Sequence, residues 1–231
     1  MFAFPPLTRF VRSALFVLFA AFVVTALVER FLNVRVFPWV ALLPEASIAW
    51  TWQIVTYPFA LPLQPGSLPS LLFTLFFLYL IGAPFEQRFG PRATLSALII
   101  GALSAAVVVM GVSFLAPGLA PLFGASPLVF ALFVAFITSV KAGQVSFFGV
   151  GPMRAWHAIA ISLTFSFLSY VTSGNLTPFI ADIGAIAGGY AYGAYLSRPP
   201  GKTRSSKSPP KRKPFPVIEG GKSSTPPKWL N

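Results

Sequence analysis

Cysteine is absent from this chain, which excludes disulfides and any thiolate-bound metal and leaves the redox compartment open. Histidine occurs once, at His157, so a multi-histidine metal site is excluded as well. Charge is scarce: 10% of residues are Asp, Glu, Lys or Arg, against about 25% in a soluble domain. No internal repeat stands out, which argues against the inverted-repeat transporters. What the chain has instead is apolar surface, with 55% hydrophobic residues and a mean hydropathy of +0.75. Over 231 residues this is the composition of an all-α, polytopic membrane protein.

The few charges are unevenly placed. From Arg198 onward there are nine basic residues and one acid, Glu219, so the tail carries +8 of the net +12. Basic tails can bind nucleic acid, but beside a membrane helix the expectation is topology and anionic lipid, with no nucleic-acid partner. Residues 197–231, rich in Lys, Arg, Ser, Pro and Gly, cannot bury a core and are expected to be a disordered cytoplasmic tail.

Hydropathy divides the rest into a short N-terminus, 1–12, and a membrane domain, 13–196. Six spans are expected, at 13–28, 68–81, 93–114, 126–140, 154–171 and 177–196. The first run is long for a signal-peptide core and is read as a membrane helix. Residues 31–67 contain Trp39, Trp50 and Trp52 with several prolines, and no stretch there is apolar enough to span. Tryptophan at this density suits a loop lying half in the membrane interface, with short helical turns. Six spans put both termini on one side. Arg9, Arg12, Arg88, Arg92, Lys141, Arg154 and the tail share that side, against Arg30 and Arg35 on the other. The positive-inside rule then makes both termini cytoplasmic, as in a bacterial inner membrane.

One stretch, Pro121-Leu-Phe-Gly-Ala-Ser-Pro-Leu-Val-Phe130, sets a hydroxyl, Ser126, at the mouth of an apolar helix running to Val140. Such a helix is about 22 Å long, less than the roughly 30 Å of a bilayer core. Lys141 anchors the far end at an interface, so Ser126 is the submerged end, opening from the outer side. Irregular backbone at that depth is tolerated only where protein or a water-filled cavity surrounds it. Asp182 is the one acid inside a span, about one and a half turns from the outer end of the sixth helix, and could share the depth of Ser126. Its bland reading is a neutral acid satisfying a neighbouring carbonyl. Gly184-xxx-Gly188 and Gly189-xxx-Gly193 on the same helix announce close helix pairing, for which Gly124, Ala125, Ser126 and Ala131 give the fourth helix a thin side. Ser70 and Thr74 share a face of the second span, where hydroxyls usually bond their own backbone. His157 belongs at the cytoplasmic start of the fifth span, across the bilayer from Ser126, as an interfacial residue.

Trp52-Gln-Ile-Val-Thr-Tyr-Pro-Phe59, Leu71-Leu-Phe, Glu86-Gln-Arg-Phe-Gly90, Gly124-Ala-Ser126 and Ala181-Asp-Ile-Gly184, in that order, resemble the rhomboid family of intramembrane serine proteases. The resemblance covers about Phe10 to Leu196. It implies a serine nucleophile at the head of the fourth span, a base histidine on the sixth, and a histidine and asparagine on the second that help hold the oxyanion. Ser126 stands at the nucleophile. Asp182 replaces the base, Ser70 and Thr74 replace the oxyanion pair, and Pro127 replaces the glycine after the nucleophile. Histidine serves because its pKa lies near operating pH and it can return the proton to the leaving amine. Losing one oxyanion donor costs about 100- to 1000-fold in rate. The expectation is therefore a catalytically impaired rhomboid-like protein, without cofactor or metal, that binds transmembrane client helices in a polar cavity. The alternative is a working serine endopeptidase using Ser126 with Asp182.

Overall fold

A computed structural model describes residues 6–44, 51–64, 66–140 and 155–198. Lys141, Arg154 and the basic tail, to which the sequence assigns roles, lie outside the described residues. Six long helices form the bundle: α1 (Arg9–Leu32), α4 (Ser67–Phe89), α5 (Pro91–Ser113), α6 (Ser126–Ser139), α7 (Ala155–Ser173) and α8 (Leu176–Ser197). Two one-turn helices, α2 (Phe37–Val40) and α3 (Gln53–Thr56), and a 3₁₀ turn at Tyr57–Phe59 lie between α1 and α4. Among the described residues α1, α4 and α5 are long and apolar enough to cross a bilayer unaided, while α6 and Ile159–Ser173 of α7 are shorter apolar helices. The molecule is an all-helical integral membrane bundle.

Two helices outrun the hydropathy that announces them. The apolar run of the second span stops near Ile81, yet α4 continues through Pro84 to Phe89. Its last turns are held by packing: Gly82, Ala83 and Phe85 are buried, with Gly82 lying against Val11 of α1 and Leu132 of α6. The acid that ends the apolar run, Glu86, is not repelled from the interior because the start of α1 satisfies it. Thr8 Oγ1 donates to its carboxylate, and so do the backbone N–H groups of Phe10 (3.3 Å) and Val11 (3.0 Å). A carboxylate beside a helix N-terminus meets both free N–H groups and the positive end of the dipole. At the other end of α1, Glu29 extends the helix past its apolar core by accepting from Val36 and Phe37 N–H at 3.0 and 2.9 Å.

The short α6 is the centre of the bundle. It is apolar all round, as a helix sheathed by others must be, and Leu132, Val134 and Ala135 have no exposed surface. α8 wedges between α5 and α6 on its glycines. A Cβ at Gly184 would lie 2.7 Å from Ser104 O of α5, and one at Gly193 would lie 2.7 Å from Ala135 O of α6. Gly188 likewise abuts Ser104, and Gly189 abuts the backbone of Ala131. The first glycine pair therefore pairs α8 with α5 rather than with α6, the expected fourth span, because Ser104 supplies the thin surface there. The second pair meets α6, at Ala131 and Ala135 rather than at Gly124–Ser126. α4 and α7 both pack against α6, and no extended contact joins them to one another.

The interhelical segment from Phe37 to Phe59 is tied down by side chains. Gln53 is completely buried; its Oε1 accepts from Leu43 N and its Nε2 donates to Pro38 O, both at 3.1 Å. Thr56 Oγ1 donates to Val40 O at 3.0 Å. An isolated antiparallel bridge, Leu42 with Leu122, stitches the segment to the approach to α6. Gln53, the buried polar side chain of this segment, is thus paired at both ends of its amide, as burial demands.

Candidate functional site

The chain reaches α6 through Gly124, whose φ of +86° is one an L side chain rarely adopts. Gly124 N–H donates to Tyr57 O at 3.1 Å, so the position of this turn is set by the interfacial segment. Ala125 caps the helix, and its carbonyl accepts from Leu128 and Val129 N–H. Ser126 is the first helical residue and is half-buried; Pro127 follows and is buried. Proline fits here because the first N–H groups of a helix have no partner within it, but it offers no donor toward the serine.

Asp182 lies on α8 among residues that pack inward, with 4% of its surface exposed. Contacts of Gly189 with Ala131 and Gly193 with Ala135 fix a parallel register between α8 and α6. In that register Asp182 is level with Gly124, and it stands two turns above Gly189 on the same face. The structure therefore brings the two ends of the expected pair to one depth. It does not bond them. Asp182 Oδ2 accepts from Ser166 Oγ of α7 at 2.6 Å, and Oδ1 is buried with no hydrogen-bond partner among the described residues. No hydrogen bond joins Ser126 to Asp182 among the described residues.

Two neighbours of Asp182 were not singled out from the sequence. Ser166 is 2% exposed, and Ser162, one turn away on α7, is equally buried with an unpartnered Oγ. Their four-residue spacing was the available signal, the same one carried by Ser70 and Thr74. Tyr57 is completely buried, donates to Ala102 O at 3.1 Å, and lies within electrostatic reach of Asp182. Burial, and secondarily the Asp182 charge, raises the Tyr57 phenol above its ordinary value. Tyr57 was inside a quoted motif, but nothing in that motif tells which loop aromatic turns inward.

The second-span hydroxyls are less concentrated. Ser70 is exposed and Thr74 half-buried, with Thr74 Oγ1 donating to Ser70 O of its own helix at 2.9 Å. His157 sits in the first turn of α7, its ring 4.0 Å from that of Trp156. Nine residues separate it from Ser166, about 14 Å along the helix. Among the described residues no group of His, Asp and Glu could hold a metal ion.

Chemically the arrangement offers a hydroxyl at the head of α6 and, level with it, a carboxylate already engaged by a different serine. A proton acceptor must be within hydrogen-bond reach of the proton it takes. A search of curated proteins finds no match to this chain. The family model described as Rhomboid domain matches residues 48–199, about two thirds of the sequence and all of the bundle from α3 to α8. By that match, with its six-helix bundle and the serine at the head of the short central helix, the chain belongs to the rhomboid family.

Proposed function

We propose that this rhomboid-family protein binds transmembrane helices of other membrane proteins, or their unwound segments, without cutting them. The observation that carries the reading is the hydrogen bond of Asp182 to Ser166: the acid at the base position is spent on α7 rather than on Ser126. The hydroxyl at Thr74 is spent on its own backbone in the same way. A buried carboxylate oxygen without a partner, level with the head of α6, gives the bundle interior a polar spot to which a client's backbone or side chain can bond. Among the described residues α4 and α7 flank α6 with no extended contact between them, which supports lateral access. The positive-inside pattern supports cytoplasmic termini, with the basic tail on anionic lipid of that leaflet and the Ser126 side facing out. The reading for a bacterium is the inner membrane.

The test is reconstitution of the full chain with helical membrane substrates and a serine-reactive fluorophosphonate. The expected result is client cross-linking without cleavage or labelling, unchanged in Ser126→Ala. Cleavage or labelling that disappears in Ser126→Ala would establish instead an endopeptidase working through Ser126, and loss of cleavage in a folded Asp182→Asn would assign the base.

A further inference from the structure

At the end of the bundle where α1 begins, four arginines gather. Glu86 on the last turn of α4 holds the start of α1 through Thr8, Phe10 and Val11. This sets Arg9 and Arg12, in the first turn of α1, beside the corner where α4 turns into α5 at Gly90. Arg88 and Arg92 stand two residues to either side of that glycine. All four side chains are exposed. The one acid at this corner is Glu86, and its carboxylate is taken up by the three donors of α1. The first turns of α1 and α5 contain no acid. None of the four guanidinium groups has an ion-pair partner among the described residues.

Between the start of α1 and this corner lies a recess of about 550 Å³, lined by Arg9 and Ser13 together with Leu7, Phe10 and Pro91, and floored by Glu86. Its lining is mixed in a particular way. Arg9 brings one guanidinium to the recess, Arg12, Arg88 and Arg92 stand at the same end of the bundle, and Leu7 and Phe10 supply apolar lining. The exposed face of α1 continues from there with Phe16 and Val17 toward the bilayer interior. A soluble anion would use the guanidinium groups and leave the apolar wall wet. An amphiphile with an anionic head uses both, and it comes from the membrane in which the bundle already sits.

We propose that this corner is a binding site for an anionic phospholipid, its phosphate held by Arg9 in the recess and attracted by the positive charge of Arg12, Arg88 and Arg92 at the same end of the bundle, and one acyl chain laid along the apolar face of α1. Arginine suits the role because its planar fork presents paired donors to a phosphate. The site lies in the bundle itself, distinct from the basic tail, and does not depend on what the bundle binds elsewhere.

The test uses the delipidated full chain, titrated with phosphatidylglycerol and followed by native mass spectrometry. The wild type is expected to bind one equivalent at least about tenfold more tightly than the rest, and to show no such equivalent with phosphatidylcholine. The set Arg9→Gln, Arg12→Gln, Arg88→Gln and Arg92→Gln is expected to lose that equivalent while weaker binding to the tail persists. The matching set of lysine replacements is expected to keep part of it. Arg30→Gln with Arg35→Gln, at the other end of the bundle, leaves it intact. If the fourfold glutamine variant does not fold, each single Gln variant is expected to weaken the tight equivalent. An undiminished tight equivalent in folded glutamine variants overturns the proposal, as does equal binding of phosphatidylcholine. Displacement of the lipid by millimolar inorganic phosphate overturns the choice of a lipid over a soluble anion.

Discussion

Among the described residues two carboxylates are buried, and they are treated in opposite ways. Glu86 is surrounded by donors: a hydroxyl and two backbone N–H groups from the start of α1. Asp182 has one donor, Ser166, and one oxygen left bare. The first arrangement is a joint. It replaces the solvation that burial removes and fastens the first helix to the fourth. The second leaves capacity unused, level with the head of α6. A buried polar group left without a partner costs about 1–3 kcal/mol, so a chain selected for stability alone would fill or remove it. The comparison separates an acid held by three donors from one held by a single donor.

Removing each acid gives the sharpest contrast. Glu86→Ala strands two helix N–H groups and the Thr8 hydroxyl, and loses charge-assisted bonds of about 1.5–3 kcal/mol each. A loss of about 3 kcal/mol or more is expected, read as a fall in the unfolding midpoint of the purified full chain, with Glu86→Gln intermediate. Asp182→Leu removes an unsatisfied oxygen along with one bond, and is expected to change the midpoint little or raise it. Equal losses for the two substitutions would erase the distinction.

The smaller step is to remove the single donor. Ser166→Ala leaves the Asp182 carboxylate with no partner and is expected to cost about 1–3 kcal/mol. In the Asp182→Leu background the same change is expected to cost less than about 0.5 kcal/mol, because nothing remains to be stranded. A double-mutant cycle with no coupling between the two sites would show that the 2.6 Å contact does not hold α7 to α8.

How much of this was legible beforehand follows from how local each signal is. The bundle and the glycine contacts were readable because apolar runs and small-residue ladders are local patterns, and their consequence is packing. The partner of Gly184 and Gly188 was not, since both α5 and α6 present thin residues and only the assembled bundle shows which one each glycine meets. The end of α4 at Phe89 was hidden because Pro84 and Glu86 both argue against helix, and the groups that satisfy Glu86 are more than seventy residues away. The shared level of Ser126 and Asp182 was legible from their places along the two helices. Ser166 was not, for a serine in an apolar helix usually bonds its own backbone, and its sequence does not say that this one turns to an acid on the next helix.

The smallest expected effect concerns Tyr57, which stands beside Asp182 and ties the interfacial segment to α5. Its phenol is raised above the ordinary value of 10.0, first by burial and second by Asp182. A raised folded pKa means that the unfolded chain loses its proton first as pH climbs. Tyr57 therefore contributes its full stability below pH 10, and that contribution fades as pH rises from there toward the folded pKa. Tyr57→Phe is expected to cost about 1 kcal/mol at neutral pH through the lost bond to Ala102, and to flatten part of the decline in unfolding midpoint above pH 10. Asp182→Asn is expected to leave most of that decline in place, because burial is the larger cause and the neighbouring charge the lesser. If Asp182→Asn abolished the decline as completely as Tyr57→Phe, the carboxylate and not burial would be the dominant influence on the phenol.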